Sequence, residues 1–169
     1  MNYNFDKDTL YKVMTEGIWY YNKLGEVGHN TDVKVDTHYI NFKVFRKSMG
    51  FNWKDLNVKF FLTKNEAEKA AKEYLNYILK YVDINTLKKI VNLKEDDEIY
   101  EVKGYYTRPF SRTVEQYSHW DKKRKAFIIV SEYDDDWGGG YDEFEYPIHE
   151  YGHSWFLTEK DAKEHIYNS

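Results

Sequence analysis

Two apolar stretches far apart in the chain end in the same signature. Residues 61–68 read Phe-Leu-Thr-Lys-Asn-Glu-Ala-Glu, and residues 156–163 read Phe-Leu-Thr-Glu-Lys-Asp-Ala-Lys. An aromatic residue, Phe60 or Trp155, precedes each. The pattern predicts a short buried strand, a Thr that caps the following helix, and an acid three positions on that closes a capping box or favours the helix dipole. After Thr63 the residues Ala67, Ala70, Ala71, Tyr74, Ile78 and Tyr81 keep one face apolar at helical spacing. After Thr158 a shorter helix is expected.

A second match lies upstream of each signature. Leu10-Tyr11-Lys12-Val13 resembles Ile99-Tyr100-Glu101-Val102, and an acidic stretch precedes both. The alternation predicts a half-buried strand opening each copy. Between these anchors the pattern predicts antiparallel strands. The first copy offers residues 18–21, a turn near Gly28-His29-Asn30, and residues 33–45. The second offers residues 112–120, a charged turn at 121–125, and residues 126–133. A short helix over 85–92, capped by Asp83 or Asn85, links the halves. The expected fold is α+β with two pseudo-repeated units, 1–92 and 93–169. Each is an antiparallel sheet with a helix behind a Phe-Leu-Thr strand end.

Composition narrows the classes. The chain has 169 residues, 41% hydrophobic and 32% charged, enough apolar content for a core. Aromatic residues reach 19%, with 17 Tyr and 10 Phe, which suits strands and half-wet contact faces. There is no cysteine, so disulfides, thiolate metal sites and cysteine nucleophiles are excluded. The sequence has neither a signal-peptide pattern nor an apolar run of membrane length. A cytoplasmic protein with no membrane partner is the expectation. The net charge of −4 argues against global attraction to nucleic acid.

Residues 149–153 read His-Glu-Tyr-Gly-His, the H-E-x-x-H pattern of zinc metalloproteases. That chemistry needs His149 and His153 on one helical face and Glu150 as general base. Pro147 and Gly152 weaken the helix, and a strand-like stretch follows. The repeat places Lys54, Asp55 and Val58 opposite His149, Glu150 and His153, so the first copy keeps the shape without the ligands. A turn leading into Trp155 is the favoured reading. No catalytic residue, metal or cofactor is assigned, and a zinc-dependent hydrolase is the rival.

Residues 132–150 carry Glu132, Asp134, Asp135, Asp136, Asp142, Glu143, Glu145 and Glu150, with no Lys or Arg. Tyr133, Trp137, Tyr141, Phe144 and Tyr146 are interleaved, and Gly138, Gly139 and Gly140 form the tip. Asp134, Asp136, Gly139, Asp142 and Glu145 have the spacing of a calcium loop, but the strand-like stretch before them does not fit an EF-hand. A solvated hairpin loop is the bland alternative. Carboxylates set among aromatics also suit recognition of a basic partner. Asp134, Asp135, Asp136, Trp137, Tyr141, Asp142, Glu143 and Glu145 are the expected partner-binding residues.

Lys122, Lys123, Arg124 and Lys125, with Arg108, Arg112, His119 and Trp120, form the opposite pole. They could contact nucleic acid, but a charged hairpin tip guarding an edge strand is the simpler reading. His29 and His38 read as surface or structural residues. No nucleophile elbow, phosphate loop or dinucleotide fingerprint occurs.

The run Gly152-His-Ser-Trp-Phe-Leu-Thr158-Glu-Lys-Asp-Ala162 resembles small proteins of phage and prophage origin in Gram-positive bacteria. There the motif reads Gly-x-x-Val-Phe-Leu-Thr-x-x-Glu-Ala. The resemblance spans about a dozen residues and implies no activity. It implies a mobile-element accessory protein that binds and inhibits a host factor. A host nucleic-acid-handling complex with a basic surface, CRISPR-type defence included, is the expected partner.

Overall fold

The structure, a computed structural model, describes the backbone of residues 7–35, 39–44, 47–52, 59–104, 107–133 and 140–169. It describes their side chains except at 7, 35, 39–44, 47–52, 132 and 133. The chain divides into two compact units, residues 1–76 and 77–169. Helices and antiparallel three-stranded sheets make it an α+β fold.

The first unit opens with helix α1 (Lys7–Glu16). The expected strand over Leu10 to Val13 is therefore corrected to helix. Strand geometry would put Tyr11 and Val13 on one face. Instead Val13 is fully buried and Tyr11 is 70% exposed. Leu10, Val13 and Met14 also fit helical spacing, and four residues are too few to separate the two periods. Gly17 ends α1 with φ near 80°, its N–H donating to Val13 O at 3.1 Å. A Cβ there would strike the Asn30 carbonyl, whose residue pairs with Ile18 in the next ladder. Only glycine fits both the dihedral and the approach.

Strands β1 (Ile18–Tyr21) and β2 (Val27–Asn30) form a hairpin, and β6 (Phe60–Phe61) joins its other side, in the order β2-β1-β6. Trp19 pairs with Phe61 and Tyr20 with Phe60. A meander of β3 (Val33–Val35), β4 (Tyr39–Val44) and β5 (Lys47–Asn52) lies between. The single strand expected over 33–45 is thus two strands of a hairpin. Helix α2 (Lys64–Ile78) follows β6. Glu66 N–H donates to Thr63 Oγ1 at 3.3 Å, and Thr63 N–H donates to Glu66 Oε2 at 3.1 Å, so two otherwise unpaired donors are satisfied reciprocally. Ala67, Ala71, Tyr74 and Ile78 form the buried face. Tyr81 lies beyond the helix and is 42% exposed.

In the second unit, helix α3 (Ile84–Val91) is capped by Asp83, whose Oδ1 accepts from Asn85 N and Thr86 N, each at 2.8 Å. Strands β7 (Glu98–Glu101) and β8 (Phe110–Thr113) form a hairpin, and β12 (Trp155–Phe156) joins β7, in the order β12-β7-β8. Trp155 pairs with Glu101 and Phe156 with Tyr100. A meander of β9 (Gln116–Asp121), β10 (Ala126–Tyr133) and β11 (Gly140–Pro147) lies between. The strand expected over 112–120 is split, because Val114 N–H donates to Asp97 O and Glu115 N–H to Val130 O. Helix α4 (Glu159–Asn168) closes the chain, with Thr158 Oγ1 accepting from Asp161 N at 3.2 Å.

The core of this unit centres on β10, which is buried on both faces from Ala126 to Ile129. Phe127 and Ile129 from β10, Tyr146 from β11, Ile99 from β7 and Trp155 from β12 are buried. Ser131, buried among them, donates to Thr113 O at 2.5 Å, which satisfies its hydroxyl and ties β10 to β8. Among the described residues, no helix is long and apolar enough to cross a membrane.

Candidate functional site

Strand β11 carries the polarised surface. It is an edge strand, paired with β10 from Gly140–Tyr133 to Pro147–Ala126. Alternation puts Tyr141, Glu143 and Glu145 on one face and Asp142, Phe144 and Tyr146 on the other. Tyr141 is 67% exposed, and Asp142, Glu143 and Glu145 are exposed beside it. Glu145 forms an ion pair with Arg124 of the β9–β10 turn, and Ser118 Oγ lies 3.5 Å from Glu143 Oε1. Of the expected partner-binding residues, Asp134, Asp135, Asp136 and Trp137 lie outside the described residues, as does Gly139 of the calcium spacing. Asp142 and Glu145 belong to a regular strand and face opposite ways, which is not the curvature of a calcium loop.

The opposite face of β11 meets a polar network that sequence reasoning missed. Glu101 Oε1 accepts from Arg112 Nε at 2.9 Å and from the Tyr146 hydroxyl at 2.9 Å. Lys103 Nζ lies 3.3 Å from Glu101 Oε2. The side chains of Arg112 and Glu101 are each only 15% exposed. The Arg112 guanidinium carbon sits 3.6 Å from the centre of the Phe144 ring, a close cation–π contact. These groups line a cavity of about 410 Å³, together with Trp155, Glu150 and Ser154. Trp155 Nε1 donates to Pro147 O at 2.8 Å and is fixed there.

The electrostatics follow from this packing. Burial opposes the charge on Glu101, but Arg112, Tyr146 and Lys103 outweigh it and hold the carboxyl below its ordinary range. Burial first, and the Glu101 charge second, push the Tyr146 hydroxyl well above its ordinary value. Glu101 is therefore a firm anion and Tyr146 a firm phenol at neutral pH. The network can orient and bind; it is poorly matched to proton transfer, which needs groups that titrate near the working pH.

A signal for this site was present. Glu101 is in phase with buried Ile99, and Arg112 with buried Val114. Opposite charges at two core-facing strand positions call for each other.

The His-Glu-Tyr-Gly-His stretch is not an α-helix. Ile148–Glu150 form a single 3-10 turn, Tyr151 is extended, and Gly152 has φ near 81°. Glu150 Oε2 accepts from Ser154 Oγ at 2.6 Å. The His149 ring packs edge-on to Tyr81, and the His153 ring edge-on to His165. Among the described residues, no group of three His, Asp or Glu is placed to hold a metal ion.

The basic turn is also engaged locally. Asp121 Oδ1 accepts from the backbone of Lys123 and Arg124, and Lys125 Nζ lies 4.4 Å from the Tyr77 ring centre. Trp120 packs on Phe127 and Arg112 belongs to the buried network, so these two are drawn away from the turn. His29 stacks on Trp19 and contacts Glu16 O at 2.8 Å; His38 lies outside the described residues. Set against protein-family models, curated proteins and solved structures, the chain matches none.

Proposed function

We propose that the chain is a non-catalytic interaction protein that recognises a basic partner through β11 and the acidic segment before it. One observation carries the reading. Tyr141, Asp142, Glu143 and Glu145 stand exposed on a single edge strand, with Tyr141 two-thirds open to solvent. Charges on an edge strand also discourage unwanted strand pairing. That role does not call for an exposed aromatic ring, whereas an anchor flanked by steering charges does. The partner class is a host protein with a nucleic-acid-binding surface, and the activity is inhibition by occupying that surface. CRISPR-type defence belongs to this class, which the resemblance to phage and prophage proteins favours.

The two units are proposed to be diverged copies. Their sheets share one connectivity, β2-β1-β6 with β3-β4-β5 and β8-β7-β12 with β9-β10-β11. The terminal pairs, Trp19 with Phe61 and Tyr100 with Phe156, place buried Ile18 opposite buried Ile99. Ile18, and not Leu10, then opens the first copy. Tyr20 occupies the place of Glu101, so the polar network is a feature of the second copy alone.

The test is capture from a bacterial host lysate, followed by affinity measurement with the purified partner. Charge reversal at Asp142 and Glu143, and separately at Asp134, Asp135 and Asp136, is expected to slow association and steepen on lowering salt the difference from the unaltered chain. Tyr141→Ala is expected to weaken binding by about fivefold or more. Affinity unchanged in all three variants removes the assignment.

A further inference from the structure

We infer that the free edge of β11 takes up a basic, extended segment as an added antiparallel strand, whose main chain pairs with Tyr141, Glu143 and Glu145. This deepens the interaction surface proposed on β11 and rests on it.

The phase of the ladder fixes which main-chain groups are open. Bonded and unbonded pairs alternate along antiparallel strands. Ile148 N–H donates to Lys125 O at 3.1 Å, which sets the phase at the end of β11. The unbroken register with β10 then bonds Tyr146 to Phe127, Phe144 to Ile129 and Asp142 to Ser131. The N–H and C=O groups of Tyr141, Glu143 and Glu145 therefore turn away from β10, toward the edge. Two contacts agree. Glu143 N–H donates to Asp142 Oδ1 at 2.8 Å and not into the ladder. Val130, which faces Glu143, gives its carbonyl to Glu115 N–H on its other side. Among the described residues, no strand pairs with this edge. Pro147 takes the next outward position, where its missing N–H breaks no ladder bond.

Charge decides the occupant. β11 carries Asp142, Glu143 and Glu145 and no Lys or Arg. Arg124 holds Glu145, whereas Asp142 and Glu143 have no cation partner among the described residues. These two point to opposite faces, so neighbouring basic residues of an added strand answer both. Tyr141 shares a face with Glu143 and takes an apolar side chain two positions along. Main-chain pairing then supplies affinity and the alternating side chains supply choice. A second copy is the poor occupant, because β11 laid on β11 brings acids against acids.

The probe is the peptide acetyl-Thr-Thr-Arg-Lys-Val-Thr-Thr-amide, which sets its Arg opposite Glu143, its Lys opposite Asp142 and its Val opposite Tyr141. The readout is amide hydrogen exchange in NMR spectra of the full chain. The Tyr141, Glu143 and Glu145 amides are expected to gain saturable protection of about tenfold or more, while those of Asp142 and Phe144, already in the ladder, stay unchanged. N-methylation at the peptide's Arg and Val nitrogens, which face β11, should weaken binding about tenfold or more. N-methylation at the Lys nitrogen and the Thr nitrogen after Val, which face away, should change it less than about twofold at the same charge. Glu143→Lys, at an exposed position, should weaken binding about fivefold or more. No saturable protection, or protection that rises with chain concentration in the absence of peptide, overturns the added strand. Equal binding by the two methylated peptides, with loss in Glu143→Lys, overturns the strand alone and leaves β11 an acidic recognition surface. Unchanged affinity in Glu143→Lys removes the basic partner and the added strand together.

Discussion

The Arg112 guanidinium carbon lies 3.6 Å from the centre of the Phe144 ring, so a cation from β8 is stacked on an aromatic face from β11. The two strands belong to different sheets of the second unit, and this contact joins them. Truncating Arg112 also leaves the Glu101 carboxylate without its main partner in a poorly hydrated place. Arg112→Met is expected to cost about 2 to 4 kcal/mol, most of it from the stranded carboxylate. Phe144→Leu keeps the apolar volume and removes the quadrupole, so a loss of about 1 kcal/mol is expected. The decisive number is the coupling between them. A double-mutant cycle in urea should give an interaction of about 1 kcal/mol. A cycle that closes to zero means the ring only fills space.

Much of the fold could be read along the chain, for a definable reason. β10 is one uninterrupted strand over Ala126–Tyr133, where the five apolar residues Ala126 to Val130 lead through Ser131 and Glu132 into Tyr133. α3 and its Asp83 cap are equally local, because the capping oxygen and the amides it serves lie within three residues. Leu10 to Val13 failed because two periods fit the same four letters. The candidate site fails differently. Glu101, Arg112, Phe144 and Tyr146 come from three strands and are spread over more than forty positions, with no motif at any of them. Only topology brings them together. Their trace in the sequence is phase, a charge where the alternation asks for an apolar residue.

The same network sets a pH dependence. Glu101 has a folded-state pKa below its unfolded value. Its contribution is therefore present above the ordinary glutamate range, near pH 4.3, and is lost as pH falls through the depressed folded value. Tyr146 has a raised folded-state value. Its contribution is present below the ordinary tyrosine pKa, near 10, and declines as pH rises beyond it. Stability measured by urea unfolding should be flat between these limits and fall on both sides. Glu101→Gln should flatten the acid limb and Tyr146→Phe the alkaline limb. An acid limb of the same steepness in Glu101→Gln would show that other carboxylates carry it.

The His-Glu-Tyr-Gly-His stretch gives the sharpest test between an interaction protein and a hydrolase. A zinc site of this pattern needs both imidazoles one helical turn apart on a shared face. Here a 3-10 turn, an extended Tyr151 and a left-handed Gly152 separate them, and their rings pack against Tyr81 and His165. Glu150, the residue that would activate water, instead accepts from Ser154 Oγ at 2.6 Å and holds the turn before β12. Glu150→Gln should therefore lower stability by about 1 kcal/mol, the weight of one charge-assisted hydrogen bond in a half-exposed place. His149→Ala and His153→Ala should each change it by less than about 0.5 kcal/mol, as surface substitutions do. Chain dialysed against chelator and titrated with zinc should unfold at one temperature throughout, since a resident metal raises it by mass action. A rise that saturates at one zinc per chain and disappears in both histidine variants would install the hydrolase reading in place of the interaction protein.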